Sequence, residues 1–60
     1  LKFEEDWRMR ASEDMLKQAE HIVNPENAII RHTLLRDSLR LNTEALEYYA
    51  RRMELEKNVG

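Results

Sequence analysis

The chain has a single proline, Pro25, and it lies in Asn24–Asn27, the strongest helix-breaking segment of the sequence. Asn24 suits the N-cap of a helix, because its side-chain oxygen can accept a hydrogen bond from a backbone N–H of the first turn. Pro25 suits the first helical position, where its fixed φ is already helical and its missing N–H would have had no partner. The residue before a proline avoids the α region. The segment therefore predicts that one helix ends shortly before Asn24 and that another begins at Pro25.

The rest of the chain has a helical composition, since it is rich in Leu, Ala, Glu and Arg and contains one Gly. We therefore predict an all-α fold, an antiparallel two-helix hairpin that forms a single domain over residues 1–60. The first helix should span about residues 3–23, the turn about 24–25, and the second helix about 25–57.

The first helix has one apolar face, formed by residues three or four positions apart. Its members are Trp7, Ala11, Met15, Ala19 and Ile22. Ala11 and Ala19 are small, so a second helix could approach closely on that face. Trp7 is expected in the core, as aromatic side chains at helical spacing usually are.

The second helix carries two apolar stripes. The first stripe is a seven-residue series with two neighbours: Leu34, Leu41, Tyr48, Leu55, Ile30 and Ala45. The second stripe is a parallel series with two neighbours: Leu39, Leu46, Met53, Leu35 and Tyr49. The stripes lie roughly 140° apart around the helix, whereas one packed neighbour covers an arc of little more than about 100°. We therefore expect the first helix to leave one stripe uncovered.

The lengths of the two helices lead to the same expectation. At about 1.5 Å per residue, the first helix should be roughly 30 Å long and the second roughly 50 Å. A first helix paired from the turn would then end opposite Leu46. Tyr48, Tyr49, Met53 and Leu55 would have no partner in the same chain, although burying such a side chain is worth about 1.5–3 kcal/mol.

A chain of 60 residues is near the lower size limit for independent folding, and without Cys no disulfide can compensate. We therefore predict that two hairpins pair into a dimeric four-helix bundle. The alternative is a three-helix bundle, in which the second helix breaks near Asn42 and its end folds back. The absence of Gly and Pro near Asn42 counts against this alternative.

Charge and hydropathy limit the classes of partner. The formal net charge is −2, and Glu44, Glu47 and Glu54 lie among the arginines of the second helix, which argues against nucleic acid as a ligand. No apolar run exceeds three residues and the first residues are acidic, so neither a membrane span nor a secretory signal is predicted. We expect a cytoplasmic protein. The sequence begins at Leu1 rather than Met, as a fragment of a longer protein would.

Few residues suggest a catalytic, metal-binding or cofactor-binding site. His21 and His32 are the only histidines, and they lack the HExxH or Glu-x-x-His spacing of helical metal sites. Arg31, Arg36 and Arg40 could bind a dianion if they faced inward, but such residues usually line a solvated helix face. No glycine-rich loop or nucleophile motif occurs. We therefore predict no enzyme, no metal site and no cofactor.

The predicted function is a non-enzymatic oligomerisation, scaffold or regulatory adaptor module that acts through helix–helix association. The partner would be a second copy of the chain or a partner helix. The residues expected to carry the association are Leu34, Leu41, Leu46, Tyr48, Tyr49, Met53 and Leu55. Asn42 lies in line with Leu35 and Tyr49, and a lone polar residue in an apolar seam can fix register. The alternative function is a small dimeric module that binds nucleic acid or a helical peptide.

Overall fold

The computed structural model describes residues 1–59, which fold into two antiparallel helices. Helix α1 spans Lys2–Glu20 and helix α2 spans Ala28–Val59. A short 3₁₀ turn, Pro25–Asn27, directly precedes α2. The hairpin is long and narrow, because its Cα atoms extend 53 Å along the helices and only 13 Å and 11 Å across them.

The turn is built as the proline predicts. Asn24 has extended φ and ψ angles of −77° and 125°, and its Oδ1 accepts a hydrogen bond of 3.0 Å from the backbone N–H of Glu26. The predicted N-cap at Asn24 is therefore confirmed. The first turn after the cap is wound as a 3₁₀ turn, so the regular α-helix begins at Ala28 rather than at Pro25.

Helix α1 ends at Glu20, three residues before the predicted end at Val23. The backbone N–H groups of the two residues after Glu20 donate to carbonyl oxygens three residues earlier, which tightens the last turn. The Nδ1 atom of His21 also donates to the carbonyl oxygen of Lys17, at 2.7 Å. These bonds satisfy carbonyl groups at the helix end, and the regular helix does not continue beyond them.

The two helices contact each other through small side chains at seven-residue spacing. Ser12 and Ala19 of α1 and Ser38 and Ala45 of α2 are all buried. The hydroxyl oxygens of Ser12 and Ser38 lie 3.0 Å apart, and each hydroxyl donates to the other serine's carbonyl oxygen at 2.8 Å. Because these side chains are small, the helix backbones can approach closely along this line. Ala19, Leu41 and Ala45 are the buried hydrophobic residues of the described chain.

Two arginine side chains extend the contact between the helices towards the open end of the hairpin. The Nε atom of Arg52 donates to the Oε1 atom of Glu5 at 3.0 Å, and the guanidinium of Arg8 lies 4.5 Å from the centre of the Tyr48 ring. The prediction that Tyr48 has no partner in the same chain is therefore wrong. Helical side chains point towards the N-terminus of their own helix, so Arg52 reaches back along α2 to α1.

The chain has two α-helices and not three in residues 1–59. The two-helix hairpin is confirmed. The three-helix alternative is wrong, because α2 continues through Asn42 without a break. Gly60, the last residue of the predicted domain, lies outside the described residues.

Candidate interaction surface

The contact between the helices runs between the two predicted stripes of α2. Ser38 lies between those stripes, and Ala45 lies on the edge of the first stripe that faces the second. Helix α1 therefore covers part of the first stripe and buries no member of the second. In the first stripe Leu41 is only 7% exposed, whereas Leu55 is exposed. The small residues therefore determine which part of α2 faces α1, and apolar side chains remain uncovered on both sides of the contact.

The larger uncovered surface lies on the second stripe, which we call the seam. Its six members are Leu35, Leu39, Asn42, Leu46, Tyr49 and Met53. Leu39 is 66% exposed, Leu46 53% and Tyr49 45%. The other three members are half-buried. The seam is thus a nearly continuous apolar line on the outside of the hairpin.

A shallow groove lies beside the seam, between α1 and α2. Its lining includes Leu16 and Glu13 of α1 and Leu35, Leu39 and Asn42 of α2. Leu16 is itself an exposed side chain. The groove therefore extends the apolar surface from α2 onto α1, with Glu13 at its rim.

Asn42 is the polar member of the seam. Its side chain is half-buried in the single hairpin. Within residues 1–59, no hydrogen bond between residues of the chain involves its amide group. The amide therefore retains its donors and its acceptor for water or for a partner.

The seven residues predicted for association are divided between three places. Leu41 lies in the contact between α1 and α2. Leu46, Tyr49 and Met53 belong to the seam. The remaining three, on the opposite edge of the contact, are Leu34, Tyr48 and Leu55.

On that opposite edge, the guanidinium of Arg8 lies over two aromatic rings and pairs with two glutamates. The guanidinium of Arg8 lies 4.4 Å from the Trp7 ring centre and 4.5 Å from the Tyr48 ring centre. Its Nη1 atom donates to Glu4 at 2.6 Å, and its Nε atom donates to Glu44 at 3.1 Å. The hydrogen bond from Arg8 lowers the pKa of Glu4, and the same bond raises the pKa of Arg8. Trp7 remains 40% exposed, so the prediction that it lies in the core is wrong for the single chain.

The residues considered for chemistry lie on the surface. Arg36 and Arg40 are exposed, and their guanidinium groups lie 3.8 and 4.0 Å from the carboxylate of Asp37 between them. Among residues 1–59, no group of three His, Asp or Glu side chains is placed to hold a metal ion. Neither described helix combines the length and the apolar composition that crossing a bilayer would require.

The association residues predicted from the sequence do not include two exposed residues of this surface, Leu16 and Leu39, although Leu39 is placed in the second stripe. The signal that identifies Leu39 is its spacing, because it stands four residues after Leu35 and three before Asn42. Leu16 has no comparable signal, since its exposure depends on which face of α1 the small residues turn towards α2.

No protein-family model matches the chain. Comparisons with curated proteins and with solved structures likewise give no match. The function must therefore be inferred from the chain's own residues.

Proposed function

We propose that the chain is a non-enzymatic association module, and that two copies pair through their seams to form a four-helix bundle. The observation that carries this proposal is the exposure of Leu39, Leu46 and Tyr49 along one line of α2. Leaving such side chains in water forgoes about 1.5–3 kcal/mol for each. In a dimer with a two-fold axis, the two copies contact each other through the same surface, so the seam of one copy would pack against the seam of the other.

The total exposed area of the hairpin supports the same proposal. The hairpin exposes 4838 Å², whereas a compact monomer of 7.2 kDa exposes about 4,100 Å². The excess of about 700 Å² is close to the roughly 800 Å² that each partner contributes to a standard stable interface. No large side chain is fully buried within the described hairpin. A single hairpin therefore has more surface and less core than a stable monomer of its size needs.

The burial of individual residues suggests which of them would hold two copies together and which hold α1 against α2. Leu39, Leu46, Tyr49 and Met53 would carry the contact between copies, because they lie on the seam. Leu41 would hold α1 against α2 instead, since it is already buried there. The proposal thus keeps Leu46, Tyr49 and Met53 from the residues predicted for association and adds Leu39.

A module of this kind would act by mass action. If folding and pairing are coupled, the local concentration of the chain determines how much paired bundle exists. This property suits a scaffold or a regulatory adaptor, which brings together whatever is attached to its two copies. A cytoplasmic location is compatible with the lack of Cys and stays a prediction.

The proposal is tested by replacing Leu46 with Glu. Leu46 is 53% exposed, and a dimer contains it twice, so its loss removes about 1.5–3 kcal/mol of burial, which corresponds to pairing about 10- to 150-fold weaker. Size-exclusion chromatography with light scattering should give twice 7.2 kDa for the unchanged chain and 7.2 kDa for Leu46→Glu at the same concentration.

The matched control is Ile29→Glu, which makes the same kind of change on α2 at a side chain that is 82% exposed and lies off the seam. This variant should keep the dimer mass. The proposal fails if the unchanged chain has the mass of a monomer at all concentrations. A helical monomer that binds amphipathic peptides through the seam would favour the peptide-binding alternative, and salt-dependent binding of structured RNA would favour the nucleic-acid alternative.

A further inference from the structure

The seam has the spacing of a coiled-coil contact line. Its residues are separated alternately by four and three positions, as the a and d positions of a heptad repeat are. The a positions are Leu39, Leu46 and Met53. The d positions are Leu35, Asn42 and Tyr49. Side chains at such positions pack against the same line of a second helix.

Building on the proposed pairing of two copies, we infer that the two α2 helices lie parallel and in register, with their Asn42 amides facing each other. In a parallel pair, each d residue meets the same residue of the other copy. In an antiparallel pair, each d residue meets an a residue. Asn42 would then face the partner's Leu39, the partner's Leu46 or the partner's Met53, depending on the register.

The chemistry of the amide distinguishes these two orientations. Opposite an aliphatic or thioether side chain, the Asn42 amide would lose its water and gain no hydrogen-bond partner, which is unfavourable. Opposite a second Asn42, the NH₂ group of one copy can donate to the Oδ1 atom of the other. Only the parallel arrangement, in register, provides this partner.

The hairpin leaves room for a second α2 on the seam. Helix α1 contacts α2 along Ser38 and Ala45, about 70° around the helix axis from the seam. On the other edge of the seam stand Thr43 and Ala50, whose short side chains would not obstruct an approaching helix. The second copy can therefore approach without displacing α1, and Leu16 of α1 borders the place where it would lie.

The orientation is tested by measuring distances between spin labels in the dimer. The chain has no Cys, so a single Lys57→Cys substitution at an exposed position near the end of α2 gives one label per copy. In the parallel arrangement the two labels lie within about 25 Å of each other, because packed helices are about 8–10 Å apart. The three antiparallel registers separate them by about 30–50 Å along the helix axis.

A label at the exposed Thr43→Cys position is the control, because it lies near the middle of the seam. Its two copies come within about 25 Å of each other in either orientation. A short distance at both positions is the expected result. A short distance at Thr43→Cys with a long one at Lys57→Cys overturns the parallel arrangement and leaves the dimer intact. No intermolecular distance at either position means that the copies do not pair through the seam, which contradicts the proposed function itself.

Discussion

At the scale of single residues, the contact between α1 and α2 depends on a pair of serines. Ser12 and Ser38 are buried although they are polar, because each hydroxyl finds the other serine's carbonyl oxygen at 2.8 Å. Their hydroxyls therefore leave no unsatisfied group in the contact. Their small volume matters more than their polarity, since it lets the two backbones approach.

Enlarging Ser12 should therefore cost more stability than removing its hydroxyl. We expect Ser12→Leu to lower the free energy of unfolding by about 1–3 kcal/mol, because the added atoms overpack the contact. Ser12→Ala should cost about 1 kcal/mol or less, since the Ser38 hydroxyl still donates to the backbone carbonyl of residue 12. Urea unfolding followed by circular dichroism, at one fixed protein concentration, measures both changes. A Leu variant as stable as the unchanged chain would show that the helices are not closely packed at this point.

The residue scale also shows where sequence reasoning succeeds and fails. The cap at Asn24 is predictable, because a cap is a local arrangement and all its parts are adjacent in the sequence. The burial of Ala19 is predictable from its size and face. Ser12 and Ser38 are not, because a serine in a helix is usually exposed, and only the opposite helix supplies the group that satisfies it.

At the scale of elements, the two helices differ in how their apolar residues are used. The contact face of α1 packs against α2, whereas α2 has further apolar side chains on both sides of that contact. The periodicity of α2 predicts both stripes correctly. It does not predict that the contact with α1 includes Ser38, which lies between the stripes, because a serine adds nothing to an apolar pattern.

The start of α2 depends on its cap, and this dependence can be measured. Asn24→Ala removes the acceptor of the Glu26 backbone N–H, so we expect a loss of about 1 kcal/mol in the free energy of unfolding. Asn27→Ala is the matched control, because Asn27 is an exposed residue of the same type one turn later. Thermal unfolding of both variants, at the same concentration as the unchanged chain, gives the comparison. Equal losses in the two variants would mean that the side chain of Asn24 does not act as a cap.

At the scale of the whole molecule, the hairpin is an elongated element with a small core. Its buried hydrophobic residues are two alanines and one leucine, and its exposed area exceeds that of a compact protein of equal mass. The sequence predicts this imbalance from the number of stripes. The prediction from helix length is less accurate, because the long side chains of Glu5, Arg8 and Arg52 extend the contact towards the open end.

The central claim is that the hairpin completes its core by pairing, and the most direct test is the thermal unfolding midpoint of the unchanged chain as a function of concentration. If folding requires a second copy, a hundredfold rise in concentration adds about 2.7 kcal/mol of stability to the dimer. The midpoint should then rise by on the order of 10 °C. A midpoint that stays constant over the same range would show that a single hairpin is the folded unit, and would contradict the account.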